Sequence, residues 1–209
     1  MGRKLLLIGG GGHCRSVIDS ALALSIFEQV GIVDTKADDC LGVTIVGRDE
    51  DIPSLVMSGW TDAFVTVGSI GDTSARRRLY ELAAKANLNM PAIIDPSAIV
   101  AANAKIESGA YVGKGAIINT NAWVGTGAII NTGAIVEHDC MIGDFSHVSP
   151  GATVCGQVTV GNDSHIGAGS VVRQGSVIGH HVLVGAGSIV VSDLPDEVTA
   201  YGNPCKVVK

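Results

Sequence analysis

Valine or isoleucine occupies every sixth position between residues 94 and 190, and no position in the series breaks the rule. The fourth residue after each is small in nearly every hexad, most often alanine and otherwise serine. An amphipathic helix repeats near 3.6 residues and a strand repeats at 2, so neither explains this period. A period of six is typical of a parallel β-helix, in which the chain coils around a narrow core. The series comprises Ile94, Val100, Ile106, Val112, Ile118, Val124, Ile130, Val136, Ile142, Val148, Val154, Val160, Ile166, Val172, Ile178, Val184 and Val190.

Three hexads are expected to close one triangular coil, so that residues eighteen apart stack about 4.8 Å from each other along the axis. The β-branched side chains would point inward, and the small residues would fit the tight corners. Five coils are then expected between Val100 and Ile189. The alternative, an ordinary β-sandwich, would require a period of two. Glycine often follows the Val or Ile, where we expect the backbone to bend at low steric cost: these residues are Gly113, Gly125, Gly143, Gly161, Gly167, Gly179 and Gly185.

The chain before the repeat alternates apolar runs with helical patterns, which predicts a small Rossmann-like parallel sheet. We therefore expect an α/β domain over residues 1–93, a β-helix over residues 94–190 and a capping tail over residues 191–209. The expected strands cover residues 4–8, 30–33, 63–67 and 90–94, with a short strand or hairpin arm at 43–46. The expected helices cover residues 13–26, 51–57 and 72–86, the last with Asp72 or Thr73 as its N-cap.

Four consecutive glycines, Gly9 to Gly12, stand between the first strand and the first helix, and His13 follows them. Backbone N–H groups at a helix N-terminus favour an anion, so this loop is a candidate phosphate site. Cys14 stands where a dinucleotide fingerprint requires its third glycine, so the fingerprint is imperfect. The segment is also too short for a full dinucleotide domain of two halves, which favours a nucleotide-linked ligand over NAD. Asp34, at the end of the second strand, is placed to bind a ribose. A tight turn without a ligand is the alternative interpretation.

The composition of the chain limits which classes of partner it can bind and indicates the cellular compartment in which it works. The net charge is -6 and no basic stripe exists, which argues against nucleic acid. Five cysteines without a CxxC pair are typical of reduced thiols in a cytoplasm. No segment reaches the length of a membrane span, so we expect no membrane insertion.

His138 is flanked by Glu137 and Asp139 on the outward side of the repeat. A carboxylate beside an imidazole can hold it in one tautomer, as a general base requires. Charge that merely keeps the surface soluble explains the local sequence equally well. Gly156 lies eighteen residues after His138, one coil beyond it, where a free backbone N–H would suit an oxyanion.

His147 and His165 are also eighteen residues apart and should stack on one edge of the coil. Such a pair can bind a metal, hydrogen-bond a cofactor or have no function at all. Cys140 is expected to point into the core and Cys155 to point outward. Neither cysteine has an evident activating neighbour in the sequence, which disfavours a covalent acyl-enzyme.

Five motifs carry a resemblance to a known family over nearly the whole chain. They are IGGGGH at residues 8–13, VD at 33–34, VGS at 67–69, INTGAIVEHDCMIGDFSHVSPGA at 130–152 and GNPCK at 202–206. The chain resembles the bacterial sugar O/N-acetyltransferases that acetylate the 4-amino group of nucleotide-linked deoxyamino sugars, of the bacillosamine and perosamine type. The resemblance implies a left-handed β-helix, homotrimers with active sites between subunits, acetyl-CoA in the cleft and the sugar nucleotide on the N-terminal domain.

The resemblance also implies roles for individual residues. His138 would be the general base, Asp139 its orienting partner and Gly156 the donor to the oxyanion, with no metal. The implied sugar-nucleotide residues are Gly10, Gly11, Gly12, His13, Asp34, Gly68 and Asn131, with His13 and the glycine loop reaching the ligand from a neighbouring subunit. The implied acetyl-CoA residues are His147, His165, Gly167, Ala168 and Gly185. The sugar, the nucleotide and the glycan pathway stay open.

Three other functions fit the same sequence. One is a sugar O-acetyltransferase of the sialic-acid type. Another is a zinc-dependent lyase or hydratase with His138, His147 and His165 as ligands shared across subunits. The third is a non-catalytic nucleotide-binding scaffold, in which the β-helix serves only assembly.

Overall fold

A computed structural model of the chain describes residues 2–35 and 40–209. The chain begins with a four-stranded parallel sheet of order β3-β2-β1-β4, with helices between its strands. Its elements are β1 (Lys4–Ile8), α1 (Gly12–Leu24), β2 (Gln29–Val33), β3 (Ile45–Gly47), a 3₁₀ turn (Asp49–Asp51), α2 (Ile52–Met57), β4 (Asp62–Val65) and α3 (Ser74–Lys85).

The central strand β1 is buried on both of its faces, which explains its unbroken apolar sequence. Leu5 and Leu7 pack with α1 against the β-helix, whereas Leu6 and Ile8 pack towards α2 and α3. One side of this small sheet is therefore already attached to the second part of the molecule.

Two sequence predictions for this part were inaccurate. The strand expected at residues 90–94 does not join the sheet: only Ile93–Ile94 (β5) is a strand, and it pairs with Tyr111–Val112 in the β-helix. Pro91 has no N–H to donate to a ladder, and the chain makes only an isolated bridge between Asp62 and Asn89. The short strand expected at 43–46 lies at Ile45–Gly47, parallel to β2.

The rest of the chain coils into a left-handed parallel β-helix, the predicted fold class. Each coil contributes one short strand to each of three flat faces, which the chain visits in a fixed order. The first face holds β5, β8 (Tyr111–Val112), β11 (Ile129–Ile130), β14 (His147–Val148), β17 (His165–Ile166), β20 (Leu183–Val184), β22 (Thr199–Gly202) and β23 (Cys205–Val207). The second holds β6 (Ile99–Val100), β9 (Ile117–Ile118), β12 (Ile135–Val136), β15 (Thr153–Val154), β18 (Val171–Val172) and β21 (Ile189–Val190). The third holds β7 (Lys105–Ile106), β10 (Trp123–Val124), β13 (Met141–Ile142), β16 (Thr159–Val160) and β19 (Val177–Ile178).

The Val and Ile row forms the core, where every member from Val112 to Val190 is essentially inaccessible to solvent. The alanines of the second row from Ala110 onwards are buried beside it. Serines replace alanine in the later coils, and the hydroxyls of Ser146, Ser164 and Ser170 bond the backbone of the next coil. Ser146 Oγ, for example, donates to Gly161 O at 2.6 Å and accepts from Ser164 N at 3.0 Å.

The glycine directly after a Val or Ile does not serve to bend the backbone, so that sequence prediction is wrong. The left-handed backbone conformation falls two positions later, at residues such as Gly115, Gly133 and Asp139. The glycines directly after the Val or Ile are needed for space. A Cβ on Gly143 would lie 2.6 Å from Asn162 N in the neighbouring coil, and one on Gly161 would lie 2.6 Å from the Gly179 carbonyl group.

Two further observations bear on the sequence predictions. No helix within residues 2–35 and 40–209 combines the length and apolarity needed to cross a membrane. All five cysteines are unpaired, and Cys14, Cys140 and Cys205 are buried.

Candidate active site

The turn after each strand forms a corner of the coil: the first corner joins the first face to the second, and the second corner joins the second face to the third. His138 and Asp139 lie at the second corner, between β12 and β13. Asp139 adopts the left-handed conformation with φ of 59°, which aspartate tolerates better than most residues. Its Oδ2 lies 2.8 Å from His138 Nδ1. The carboxylate accepts a hydrogen bond from Nδ1–H, which leaves Nε2 as the acceptor nitrogen of the imidazole.

Asp139 is itself held by a column of asparagines at the same corner. Asn121 Nδ2 donates to Asp139 Oδ1 at 3.2 Å, and Asn103 Nδ2 donates to Asn121 Oδ1 at 2.6 Å. The hydrogen bond from His138, followed by that from Asn121, lowers the pKa of Asp139. The carboxylate that orients the imidazole is therefore ionised at neutral pH. The spacing of eighteen between Asn121 and Asp139 is a signal that the sequence analysis missed.

Glu137 does not touch the imidazole. Its Oε2 accepts from Asn119 Nδ2 at 2.9 Å and from the backbone N–H of His138 at 3.2 Å. The two carboxylates beside His138 thus differ: Asp139 orients the ring, and Glu137 fixes the backbone that carries it.

Gly156 lies against the imidazole, as the spacing of eighteen residues predicts. A Cβ at this position would lie 2.5 Å from His138 Nε2, so only glycine leaves room for the ring. Within the part of the chain that the structure describes, no group accepts a hydrogen bond from the Gly156 N–H. The corner therefore combines an oriented nitrogen acceptor with a backbone donor one coil away.

His147 lies on the first face, where it bridges the two parts of the molecule. Its Nδ1 lies 3.2 Å from the Ser69 carbonyl, and its Nε2 lies 3.1 Å from Asn131 Nδ2. These partners require a proton on Nδ1 and a lone pair on Nε2. Burial, reinforced by His165, lowers the pKa of His147 to about 3, so the ring is neutral.

His165 stacks on His147 edge to face, with ring centroids 4.9 Å apart, as predicted. Its Nε2 lies 3.1 Å from Ser149 Oγ, whereas its buried Nδ1 has no hydrogen-bond partner in the described residues. An unsatisfied buried nitrogen is costly unless a ligand or water completes it.

An apolar groove of about 390 Å³ runs along the first corner beside these two histidines. It contains all five residues expected to bind acetyl-CoA. Ile70, from the loop after β4, forms one wall, and sequence reasoning had no signal for it. The lining residues are Ile70, His147, Ser149, Pro150, His165, Gly167, Ala168, Leu183, Val184, Gly185 and Ala186.

The glycine loop lies at the carboxyl end of β1. Asp34 Oδ2 accepts a hydrogen bond from Gly10 N at 2.6 Å, so this oxygen closes the loop. Gly11 and Gly12 are exposed and face open space. They therefore leave room for a ligand.

His13 follows the glycines and packs edge-on against Tyr111, with ring centroids 5.1 Å apart. Gly68 lies beside it, since a Cβ there would come within 3.7 Å of His13 Cβ. The Nε2 of His13 is buried without a partner in the described residues. Burial, followed by the charge of Arg76, lowers the pKa of His13 to about 4. Of the expected sugar-nucleotide residues, only Asn131 lies elsewhere, beside His147.

The histidines proposed as zinc ligands are not gathered in one chain. His138 lies at the second corner, whereas His147 and His165 lie on the first face. Among the described residues, no group of three or more His, Cys, Asp or Glu side chains is placed to hold a metal ion.

The two cysteines near the corner differ in exposure. Cys140 is buried, its Sγ donates to the Cys155 carbonyl at 3.0 Å, and burial raises its pKa. Cys155 is half-buried, and no side chain in the described part of the chain makes a hydrogen bond or ion pair with its thiol that would activate it.

Known proteins resemble both parts of the chain. Residues 4–83 match the family model of the PglD N-terminal domain. GDP-perosamine N-acetyltransferase from Caulobacter crescentus, solved as a histidine-to-alanine variant in complex with CoA and GDP-perosamine, is 40% identical with a TM-score of 0.92. That match covers 99% of this chain and 97% of the other. The acetyltransferase domain of PglB from Neisseria gonorrhoeae, in complex with acetyl coenzyme A, is 35% identical with a TM-score of 0.93, and the match covers 100% of both chains. No protein with a curated description matches the chain.

Proposed function

The chain belongs to the family of hexapeptide-repeat sugar N-acetyltransferases, and on this basis we propose that it acetylates the 4-amino group of a nucleotide-linked deoxyamino sugar. It is an acetyl-CoA-dependent acetyltransferase of amino sugars. The observation that carries the finer proposal is the His138–Asp139 pair, whose acceptor nitrogen lies against Gly156.

The proposed reaction is direct transfer. The sugar amine attacks the thioester carbonyl carbon and forms the C–N bond, while His138 Nε2 accepts the proton that the amine loses. The Gly156 N–H donates to the oxyanion of the tetrahedral intermediate. The C–S bond then breaks, and the CoA thiolate leaves and takes its proton from the His138 imidazolium.

The apolar groove suits the pantetheine arm of acetyl-CoA, which is uncharged and flexible. The unpartnered Nδ1 of His165 is available to an amide of that arm. Asn131 and the neutral His147 lie at the end of the groove that we assign to the thioester. The partly buried imidazole of His147 is neutral, so it imposes no charge on a thioester carbonyl.

One copy of the chain does not contain a complete site under this proposal. His138 lies at the second corner and the groove at the first, with the whole second face between them. The coil that carries His138 also contributes His147 and Ser149 to the groove. Rotation about an axis parallel to the β-helix therefore brings the His138 of one copy to the groove of the next. We therefore propose a homotrimer with three such sites, an assembly that has the closed symmetry of most oligomers.

The glycine loop, His13 and Gly68 are proposed to hold the sugar nucleotide. The exposed glycines and the N-terminus of α1 favour its phosphates. Acetyl-CoA and sugar nucleotides are intracellular metabolites, and unpaired cysteines suit a reducing compartment, so the proposal includes a cytoplasmic location and a role in surface glycan synthesis.

The test is turnover with a panel of UDP-, GDP- and dTDP-linked 4-amino-deoxysugars and their 4-hydroxy counterparts. We expect CoA thiol release with at least one amino sugar, and a product that carries one added acetyl group on nitrogen. Release with the hydroxy sugars alone would favour O-acetylation. No release with any sugar nucleotide would contradict the proposal.

A further inference from the structure

The second corner of the β-helix keeps side chains at positions where the first corner uses glycine. Three residues after a core Val or Ile the backbone adopts the left-handed conformation, which costs glycine nothing sterically. At the first corner this residue is glycine in five successive coils, at Gly115, Gly133, Gly151, Gly169 and Gly187. At the second corner the equivalent residues are Asn121, Asp139 and Gln157, with φ between 57° and 62°. These side chains are retained at a cost in backbone strain, which their contacts must offset.

His138 and Asp139 are too exposed for the core to hold them in place. Their side chains are 42% and 44% accessible, although Asp139 Oδ2 lies only 2.8 Å from the imidazole Nδ1. An isolated pair on a protein surface gains little free energy from its contact, because water competes for both partners. A fixed orientation of the ring therefore requires a further contact on the carboxylate.

Asn121 provides that contact from the preceding coil. Its Nδ2 donates to Asp139 Oδ1 at 3.2 Å, while Asp139 Oδ2 accepts from the imidazole of His138. A carboxylate that is bound at both oxygens cannot rotate without losing one of its two hydrogen bonds. The imidazole therefore meets its partner at a fixed angle.

Asn103 determines which end of the Asn121 amide faces Asp139. Asn103 Nδ2 donates to Asn121 Oδ1 at 2.6 Å, and Asn103 Oδ1 accepts from Thr120 Oγ1 at 2.8 Å. The oxygen of the Asn121 amide is thereby turned away from the carboxylate, and its NH₂ group is turned towards it. Because an ionised carboxylate only accepts hydrogen bonds, this is the direction that Asp139 requires.

The orientation of Asp139 decides which nitrogen of His138 carries the proton. The hydrogen bonds from His138 and then from Asn121 lower the pKa of Asp139, so the carboxylate stays ionised and accepts from Nδ1–H. Without the amide, the exposed carboxylate is free to turn towards water, and a neutral imidazole without a fixed partner can carry its proton on either nitrogen. A proton on Nε2 would remove the acceptor that lies beside Gly156.

We propose that Asn121 is a positioning residue for acetyl transfer, which holds the Asp139 carboxylate so that His138 keeps its proton on Nδ1 and its lone pair on Nε2. Asn103 supports this role by fixing the direction of the Asn121 amide. The inference rests on the proposed function of His138 as the general base. It adds that the orientation of this base is set by side chains from the two preceding coils.

The first test compares the tautomer of His138 in two variants that both tolerate the left-handed backbone. Asn121→Gly removes the amide, whereas Asn121→Asp keeps its size but, when ionised, cannot donate to Asp139. NMR of the two imidazole nitrogens reports the tautomer of the neutral ring, and the signals of His138 are those missing from His138→Ala. We expect the proton on Nδ1 in the wild type and a partial shift of the proton to Nε2 in both variants. Asn87→Gly, at an exposed left-handed asparagine after α3, is the matched control and should change nothing.

The second test is steady-state kinetics with the same three variants. Asn121→Gly and Asn121→Asp should lower kcat about tenfold with unchanged KM for both substrates, because a misoriented base affects proton transfer and not ground-state binding. An unchanged tautomer in Asn121→Gly, or a wild-type tautomer and kcat in Asn121→Asp, would overturn the inference. A shifted tautomer with a wild-type kcat would instead overturn the proposed function of His138 as the base.

Discussion

Arg77 and Asp163 join the N-terminal sheet domain to the β-helix through two hydrogen bonds of 2.7 Å, from Nε and Nη2 to the two carboxylate oxygens. Beside them, the buried Arg76 donates to the carbonyl groups of Gly127 and Phe145. The N-terminal end of α3 is thereby fixed on the β-helix. The loop between β4 and α3 is held on the β-helix as well, because the Ser69 carbonyl accepts a hydrogen bond from His147.

Asp163→Asn should lower the free energy of unfolding by about 1–3 kcal/mol, because the Arg77 guanidinium loses the buried carboxylate with which it pairs. Asparagine tolerates the left-handed φ of 60° at this position, so the backbone is not strained. Denaturant unfolding measures the change. The control is Asp49→Asn, which removes an exposed pair with Arg78 at 3.4 Å and should have almost no effect. Equal stability of the two variants would contradict the importance of this contact.

Acid should destabilise the protein in two stages. The pKa of His147 is about 3 in the folded chain and near 6.5 when unfolded, so protons bind the unfolded state preferentially as the pH falls through this range. Stability should therefore decline below pH 6.5, by up to about 1.4 kcal/mol per pH unit for one such group.

The second stage concerns Asp163. Burial opposes its ionisation, but hydrogen bonds from Arg77 and Thr73 prevail and lower its pKa. Its contribution is present above the unfolded pKa of 3.8 and is lost as the pH falls through the folded value. Unfolding curves between pH 7 and pH 3 test both stages. His147→Gln should reduce the slope of the first stage without abolishing it, because burial also lowers the pKa of His13, to about 4. A constant stability between pH 6.5 and pH 4.5 would contradict the assignment of a neutral His147.

His138→Ala should lower kcat by roughly 10²- to 10⁴-fold with little change in KM, because the imidazole acts on the proton lost during attack. Asp139→Asn should have a smaller effect, since it only misorients the ring. Cys155→Ala should be nearly silent, whereas a covalent acyl-enzyme would make it the most damaging of the three. Steady-state kinetics with acetyl-CoA distinguishes these outcomes, and a wild-type kcat in His138→Ala would remove His138 from the mechanism.

Gly156→Ala should reduce kcat strongly without unfolding the protein. The added Cβ would lie 2.5 Å from His138 Nε2, and the half-exposed imidazole can rotate away from it. The backbone N–H is retained, so the effect reports displacement of the ring. In the double variant with His138→Ala, Gly156→Ala should lower kcat little further, because the imidazole with which its Cβ would clash is absent. Additive losses in the double variant would show that Gly156 acts independently of His138.

Much of this molecule could be predicted from its sequence because a β-helix repeats a single local rule. The Val and Ile row determines the core, and the spacing of eighteen residues predicted that Gly156 lies on His138 and His165 on His147. The repeat did not reveal the role of Gly143 and similar glycines, because close approach between coils and backbone bending favour the same residue type.

Contacts between the two parts of the chain could not be predicted. Ser69 reaches His147 across 78 positions, and Ile70 forms a groove wall from an irregular loop. Neither belongs to a periodic pattern, so nothing in the local sequence distinguishes them from other loop residues.

The central claim is that the His138 of one copy acts on acetyl-CoA bound in the groove of another. Two variants test it: His138→Ala, which lacks the base, and Ala168→Trp, which fills the groove from an exposed position. Each should be inactive as a homotrimer. Co-expression with two different tags and tandem purification isolates the mixed trimers, and their activity per trimer is then measured. In every mixed trimer one of the three sites combines an intact groove with an intact His138, so about one third of the wild-type kcat should return. Mixed trimers as inactive as their parents would show that base and groove act within one chain, which contradicts the account.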